Sequence, residues 1–220
     1  MPRVLLIAVL AALLLPASAS AQGFDRILID VSAQVTHGDA DDTMPLEDQK
    51  ERYYRGEHLD LLCGHVVLLA QSVLADHGYA SRQAAAITRS RFNYRGDGHT
   101  MIEVWTGRRW IVYDLSFNRQ PRDARGRAIN VVQFVKQERA GKSHNFRILA
   151  SDQAFDFSLK SMYRRRLGVA LLEIGPGEFA FAQRAQRKRL ERYSPSYRWL
   201  APKAFRRATR RAPGAWLTPR

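Results

Sequence analysis

The stretch His99-Thr100-Met101-Ile102-Glu103-Val104-Trp105, then Thr106-Gly107-Arg108-Arg109, then Trp110-Ile111-Val112-Tyr113-Asp114-Leu115, decides the fold. Two runs rich in β-branched and aromatic residues flank a polar, glycine-containing loop, which is the pattern of a β-hairpin. A two- or four-residue loop centred on Gly107-Arg108 sets Trp105 opposite Trp110, Met101 opposite Asp114 and His99 opposite Ser116. Strand side chains alternate, so Thr100, Ile102 and Val104 with Ile111, Tyr113 and Leu115 make one apolar face, while His99 and Asp114 point to the other side. As diagonal neighbours these two have Cα atoms roughly 7–8 Å apart, close enough for an imidazole–carboxylate hydrogen bond. A three-residue bulged loop would shift the register by one and separate them.

Upstream, Leu59, Leu62, Cys63, Val66, Val67, Leu69, Ala70, Val73 and Leu74 recur at three- and four-residue spacing, predicting a helix that packs on the apolar face of the hairpin. Gly78 ends it, and His58 or Asp60 is positioned to cap its start. Cys63 falls in the first turn, where unsatisfied N–H groups and the positive dipole end favour a thiolate. His99 is placed to act as its base and Asp114 to hold the imidazole, so the three form a nucleophile–base–orienter set.

Taken together, Leu62-Cys63-Gly64-His65, His77-Gly78-Tyr79-Ala80-Ser81-Arg82, His99-Thr100-Met101-Ile102-Glu103-Val104 and Trp110-Ile111-Val112-Tyr113-Asp114 resemble the transglutaminase-like superfamily. The resemblance spans about residues 55–118. It implies an α+β, papain-like core with a Cys-bearing helix packed on an antiparallel sheet. It further implies Cys63 as nucleophile, His99 as general base and acid, Asp114 as orienter, and Arg82 in a structural role. The chemistry implied is acyl transfer or amide hydrolysis through a thioester, with no metal or organic cofactor. The chain departs from the family pattern at Leu62, where many members carry Gly or a polar residue, and at Met101, where many carry Trp. No upstream side-chain donor to the oxyanion is identifiable; Tyr53 and Tyr54 lie near the right distance.

Elsewhere, residues 24–35 read as a strand or a packing arm, 36–45 as an acidic loop, and 46–55 as a polar helix. Residues 81–88 read as a strand, followed by a connection with the turn signal Gly96-Asp97-Gly98. The Arg-rich 118–127 reads as a loop, 130–136 as a strand and 144–150 as another. Beyond Asp152 the pattern turns helical. Gly175-Pro176-Gly177 reads as a break before a helix over 178–192, and 193–220 as extended or disordered. This divides the chain into 1–21, a signal peptide; 22–175, the transglutaminase-like domain; and 176–220, a basic tail.

The signal reading rests on Arg3, the apolar run Val4 to Leu15, Pro16, and an A-x-A site at Ala19–Ala21. That run is shorter than the ~20 residues a membrane span needs, which points to an exported periplasmic or secreted protein. Of the 220 residues, 35 are Lys or Arg and 21 Asp or Glu, a formal net charge of +14. Residues 160–220 hold 16 of the cations and 3 of the acids, so the body is neutral and the charge is terminal. A terminal positive field on an exported chain suits an anionic envelope polymer or membrane surface, and nucleic acid is not an expected partner. The expected substrate is a peptide or protein amide, cell-wall material included. The alternative is a catalytically inactive module that binds peptide or anionic polymer. Cys63 is the one cysteine, which excludes an intramolecular disulfide. His37, His58, His77 and His144 share no ligand spacing, and His65 faces away from Cys63. Glu103 reads as a salt-bridge partner of Arg108 or Arg109, and Trp105 with Trp110 as a cross-strand pair.

Overall fold

The hairpin adopts the register expected from its four-residue loop: Trp105 pairs with Trp110, Val104 with Ile111, Glu103 with Val112 and Ile102 with Tyr113. Within the loop, the Thr106 N–H donates to the Arg109 carbonyl at 3.0 Å, and Gly107 takes a positive φ of 83°. The computed structural model describes residues 21–88, 98–142, 145–151, 158–183, 187–193, 196, 198–210 and 212–213. Residues 1–20 of the expected 1–21 signal segment, Gly96-Asp97, His144 and residues 214–220 lie outside the described residues.

In chain order, helix α1 (Ala21–Gln34) runs into strand β1 (Val35–His37), followed by α2 (Leu46–Tyr54), β2 (Leu59–Leu61) and α3 (Cys63–Asp76). Strands β3 (Ser81–Ile87), β4 (Gly98–Trp105), β5 (Trp110–Tyr113) and β6 (Arg119–Arg122) come next. Then follow α4 (Val131–Arg139), β7 (Asn145–Ile148), α5 (Leu159–Arg166), β8 (Val169–Gly175) and β9 (Glu178–Phe181). The chain closes with α6 (Arg187–Tyr193), β10 (Arg198–Leu200) and α7 (Pro202–Ala208). The fold is mixed α+β, built on a six-stranded sheet of order β10-β9-β8-β3-β4-β5. Its strands are antiparallel except β10, which lies parallel to β9. Two small sheets, β1 with β2 and β6 with β7, flank it. No described helix is long and apolar enough to cross a membrane.

Helix α3 packs on one face of the sheet as its periodicity predicts. Val66, Val67, Leu69, Ala70, Val73 and Leu74 are buried against Ile102, Val104, Ile111 and Tyr113. Its end closes as expected: Gly78 has φ 80°, the Gly78 N–H donates to Ala75 and the Tyr79 N–H to Leu74 at 2.9 Å, a Schellman-type stop. Its start differs. Leu59–Leu61 is a strand parallel to β1, so the helix begins at Cys63, and neither His58 nor Asp60 caps it. Leu62 occupies the N-cap without a side-chain hydrogen bond; instead Asp42 accepts the Leu62 N–H at 2.9 Å and Asp41 the Asp60 N–H at 2.8 Å. The acidic loop therefore ties down the strand that delivers Cys63.

The opposite face of the sheet is also buried, against α4, α5 and α7, around Met101, Val112, Phe117, Phe134 and Tyr163. Several expectations differ from the structure. The expected strand over 130–136 is instead the N-cap and first part of α4: Asn130 accepts the Gln133 N–H at 2.9 Å while Gln133 accepts the Asn130 N–H at 3.0 Å. This capping box outweighs the β propensity of Val131-Val132. Residues 24–35 are mostly helix, because Phe24, Leu28 and Val31 line one helical face. Arg119–Arg122 is a strand inside the expected loop, paired to β7. The described residues between 176 and 210 join the body of the fold rather than forming a separate tail. Pro176-Gly177 turns β8 into β9, whose alternating Phe179 and Phe181 make it a strand rather than a helix, and β10 and α7 complete the same sheet and core. The helix expected over 178–192 is confined to α6 among the described residues.

Glu103 pairs with Arg82, not with Arg108 or Arg109. Both are buried, with Arg82 Nη2 2.5 Å and Nε 2.8 Å from Glu103 Oε2. The guanidinium lies 4.0 Å over the Trp110 ring and donates to the Ala208 carbonyl at 2.9 Å. Glu103 also accepts the Val131 N–H at 2.7 Å, fastening the start of α4 to the sheet. Removing one partner of such a pair strands a buried charge, which costs about 3–5 kcal/mol. Urea unfolding of Arg82→Ala should show a loss of that size, whereas Arg109→Ala at the exposed hairpin loop should leave the midpoint unchanged; equal midpoints for the two variants would contradict the assignment.

Candidate active site

Asp114 follows the last residue of β5, and the chain turns immediately: its N–H donates to Arg119 at 2.8 Å and the Arg119 N–H returns to Asp114 at 2.9 Å. The turn closes through Asn118, whose φ of 56° lies in the left-handed region that Asn tolerates better than most side chains. Asn118 is itself fully buried. Its carboxamide oxygen accepts from Ser32 at 2.9 Å and from the Ala150 N–H at 2.8 Å, and its Nδ2 donates to the Ser151 carbonyl. The main chain of Asp114 is thereby fixed by backbone pairing rather than left on a free strand end.

That carboxylate has no solvent exposure, and His99 is 2% exposed. His99 Nε2 lies 2.7 Å from Asp114 Oδ2, and Tyr163 Oη donates to the same oxygen at 2.6 Å. Phe117 stacks on the imidazole with ring centroids 4.8 Å apart, and Tyr163 meets it edge-on. With Nε2 committed to Asp114, the other ring nitrogen, Nδ1, is buried without a hydrogen-bond partner among the described residues. Cys63, partly buried at the first position of α3, interacts with this imidazole and with Thr100.

The electrostatics follow from that arrangement. Burial alone would lower the His99 pKa, but the Asp114 charge, its hydrogen bond and the sulfur of Cys63 reverse this and raise it to about 10. Burial pushes the Cys63 thiol up, and His99 and Thr100 more than offset that, leaving it below the ordinary thiol range. The pair is therefore biased toward thiolate and imidazolium. Burial holds the Tyr163 hydroxyl well above its usual range, with the Asp114 charge adding to the effect, so it remains a donor.

The structure thus brings Cys63, His99 and Asp114 together. The sequence reading missed Tyr163, Phe117 and Asn118, whose approach depends on long-range packing. It also missed His37, which stands edge-on to Phe117 with centroids 5.3 Å apart. Burial lowers the His37 pKa and the nearby His99 charge acts in the same direction, opposed by the Leu61 carbonyl and Asp114. Tyr54 is bound at 2.8 Å to Asp76, at the far end of α3 from Cys63, and Tyr53 is packed in the core. His65 Nδ1 lies 2.7 Å from the Asp42 carboxylate. Among the described residues no three His, Cys, Asp or Glu side chains converge as a metal-ligand group. No family model, curated protein or solved structure matches the chain, so its class has to be read from these contacts.

A raised folded-state His99 pKa stabilises the fold fully below the unfolded value near 6.5, and the benefit is lost as pH climbs through the folded value. The lowered Cys63 pKa acts with opposite sign, since its contribution is lost as pH falls. In a Cys63→Ala background the His99 linkage is no longer opposed by the thiol. Urea midpoints of that variant should fall as pH rises above ~6.5, and a further Asp114→Asn change should flatten the slope; a pH-independent midpoint in the first variant would contradict the pairing.

Proposed function

We propose that the protein is an exported, transglutaminase-like cysteine enzyme with a papain-like core, acting on amide bonds of a peptide or cell-wall-related substrate. The observation that carries this reading is the buried 2.7 Å His99–Asp114 contact beside a thiol whose pKa is lowered by the same imidazole. The Cys63 thiolate attacks the amide carbonyl, forming a C–S bond and a tetrahedral oxyanion. As the C–N bond breaks, the His99 imidazolium gives its proton to the leaving amine, and a thioester remains. Water or an acceptor amine then loses a proton to neutral His99 as it attacks the thioester, releasing the acyl product and restoring the thiolate. Asp114 keeps its negative charge throughout and stabilises each imidazolium stage.

Two features suit the oxyanion. Helix α3 has no side-chain cap, which leaves first-turn N–H groups beside the sulfur. A Cβ placed at Gly64 would meet nothing within 4 Å, so the approach to those amides is open. The cations among residues 184–220, 12 Lys and Arg against one acid, suit retention on an anionic envelope surface.

Alkylation by iodoacetamide tests the thiol directly. The rate should reach its plateau below the ordinary thiol pKa of ~8.5, and His99→Ala should move the midpoint to that value or above. An electrophilic amide or ester probe should be captured covalently by the native chain and not by Cys63→Ala. Asp114→Asn should slow capture by about 10²–10⁴-fold. A native chain that reacts only above the ordinary thiol range and captures no probe would leave a binding module rather than an enzyme.

A further inference from the structure

A cavity of about 970 Å³ lies away from the thiol, between the last turns of α4 and α5, the start of β8, and α7. None of Cys63, His99 and Asp114 lines it. Its walls include Val135, Val169 and Phe205, and its rim carries Lys136 and Arg139 from α4 and Arg164 from α5. In all, four cations line it against one acid, Glu138; Arg165 and Glu138 are both engaged in other contacts. Lys136, Arg139 and Arg164 are exposed and have no side-chain partner among the described residues. Basic residues in a last helical turn are common because they complement the helix dipole. Here two such turns converge on one concavity of the size that small-molecule sites occupy, which dipole complementarity does not require.

The charge count narrows the ligand. Against the partial negative charge of two helix C-termini, about −0.5 each, the three cations leave roughly +2. A phosphate monoester, with about −1.5 to −2 charges, matches that better than one carboxylate does, and it brings several strong acceptors that suit guanidinium forks. The apolar wall calls for a hydrocarbon portion on the same molecule. We propose that this cavity binds an amphipathic phosphate monoester, either a lipid headgroup with its chain or a soluble phosphorylated compound. The site sits beside the candidate active site without belonging to it. His99 pairs across the sheet with Ala86, and Ala86 with Ala170, a lining residue of the cavity. Directly paired residues share a face, so the cavity lies on the His99 side, two strand spacings or about 10 Å along the sheet.

Calorimetric titration of the full chain with octyl phosphate tests this. Saturable one-site binding should be roughly tenfold or more tighter than for inorganic phosphate, and octyl glucoside, which has the same tail without the charge, should not compete. Lys136→Ala with Arg139→Ala, and separately Arg164→Gln, should each weaken octyl phosphate roughly tenfold, while Cys63→Ala should leave it unchanged. Co-sedimentation with phosphatidylcholine vesicles only when they contain phosphatidic acid, lost in Arg164→Gln, would identify the lipid source. Octyl phosphate binding without vesicle binding would identify the soluble one. Absence of saturable octyl phosphate binding, or equal affinity in the native chain and in Arg164→Gln, would overturn the proposal whatever the reactivity of Cys63.

Discussion

A carboxylate with no solvent exposure sits at the centre of this structure, and its surroundings are arranged to compensate its charge. Asp114 Oδ2 receives the Nε2 hydrogen of His99 and the hydroxyl of Tyr163 at 2.7 and 2.6 Å. A buried anion without a nearby cation is costly, so the imidazole keeps its second proton to about pH 10. An imidazolium in turn favours a negative sulfur beside it, and Cys63 is placed to supply one. The three groups are thus coupled by charge, and a change at any one shifts the protonation of the others. Phe117 on the face of the imidazole and the left-handed Asn118 turn behind Asp114 hold the geometry in which that coupling operates.

The sheet makes the arrangement possible because it is buried on both sides. Helix α3 covers one face and delivers Cys63 at its first residue, while His99 and Asp114 project toward the other face under α4 and α5. His99 is the second residue of β4, so the sulfur meets the imidazole at the start of that strand. The Arg82–Glu103 pair belongs to the same scheme, tying β3 and β4 to the first turn of α4 and, through the Ala208 carbonyl, to the end of α7.

Legibility in the sequence followed locality. The β4–β5 pairing was readable because a four-residue loop sets the register and strand alternation then decides which side chains share a face. Helix α3 was readable from its apolar spacing, and its glycine stop from Gly78. The partners that complete the site were not. Tyr163 is 49 residues from Asp114, and nothing in Ser161-Met162-Tyr163-Arg164 announces a hydrogen bond to a distant carboxylate. The second core was hidden because His99, Glu103 and Asp114 share its face with Met101 and Val112 and make that face look polar. Glu103 is buried only because Arg82 and the Val131 N–H meet it. At the C-terminus, dense arginines masked the apolar alternation of Phe179 and Phe181 and the buried Trp199 and Phe205. In α4 the Asn130…Gln133 capping signal was present, yet adjacent valines suggested a strand.

The coupling can be observed most directly at the imidazole. Nitrogen-15 NMR of histidine-labelled protein at about pH 8, well above the ordinary imidazole pKa of ~6.5, reports the protonation of each ring nitrogen. His99 should retain hydrogens on both Nδ1 and Nε2, and Asp114→Asn should convert it to the neutral ring. A native His99 resonance already neutral at that pH would contradict the charge-coupled arrangement and the chemistry proposed from it.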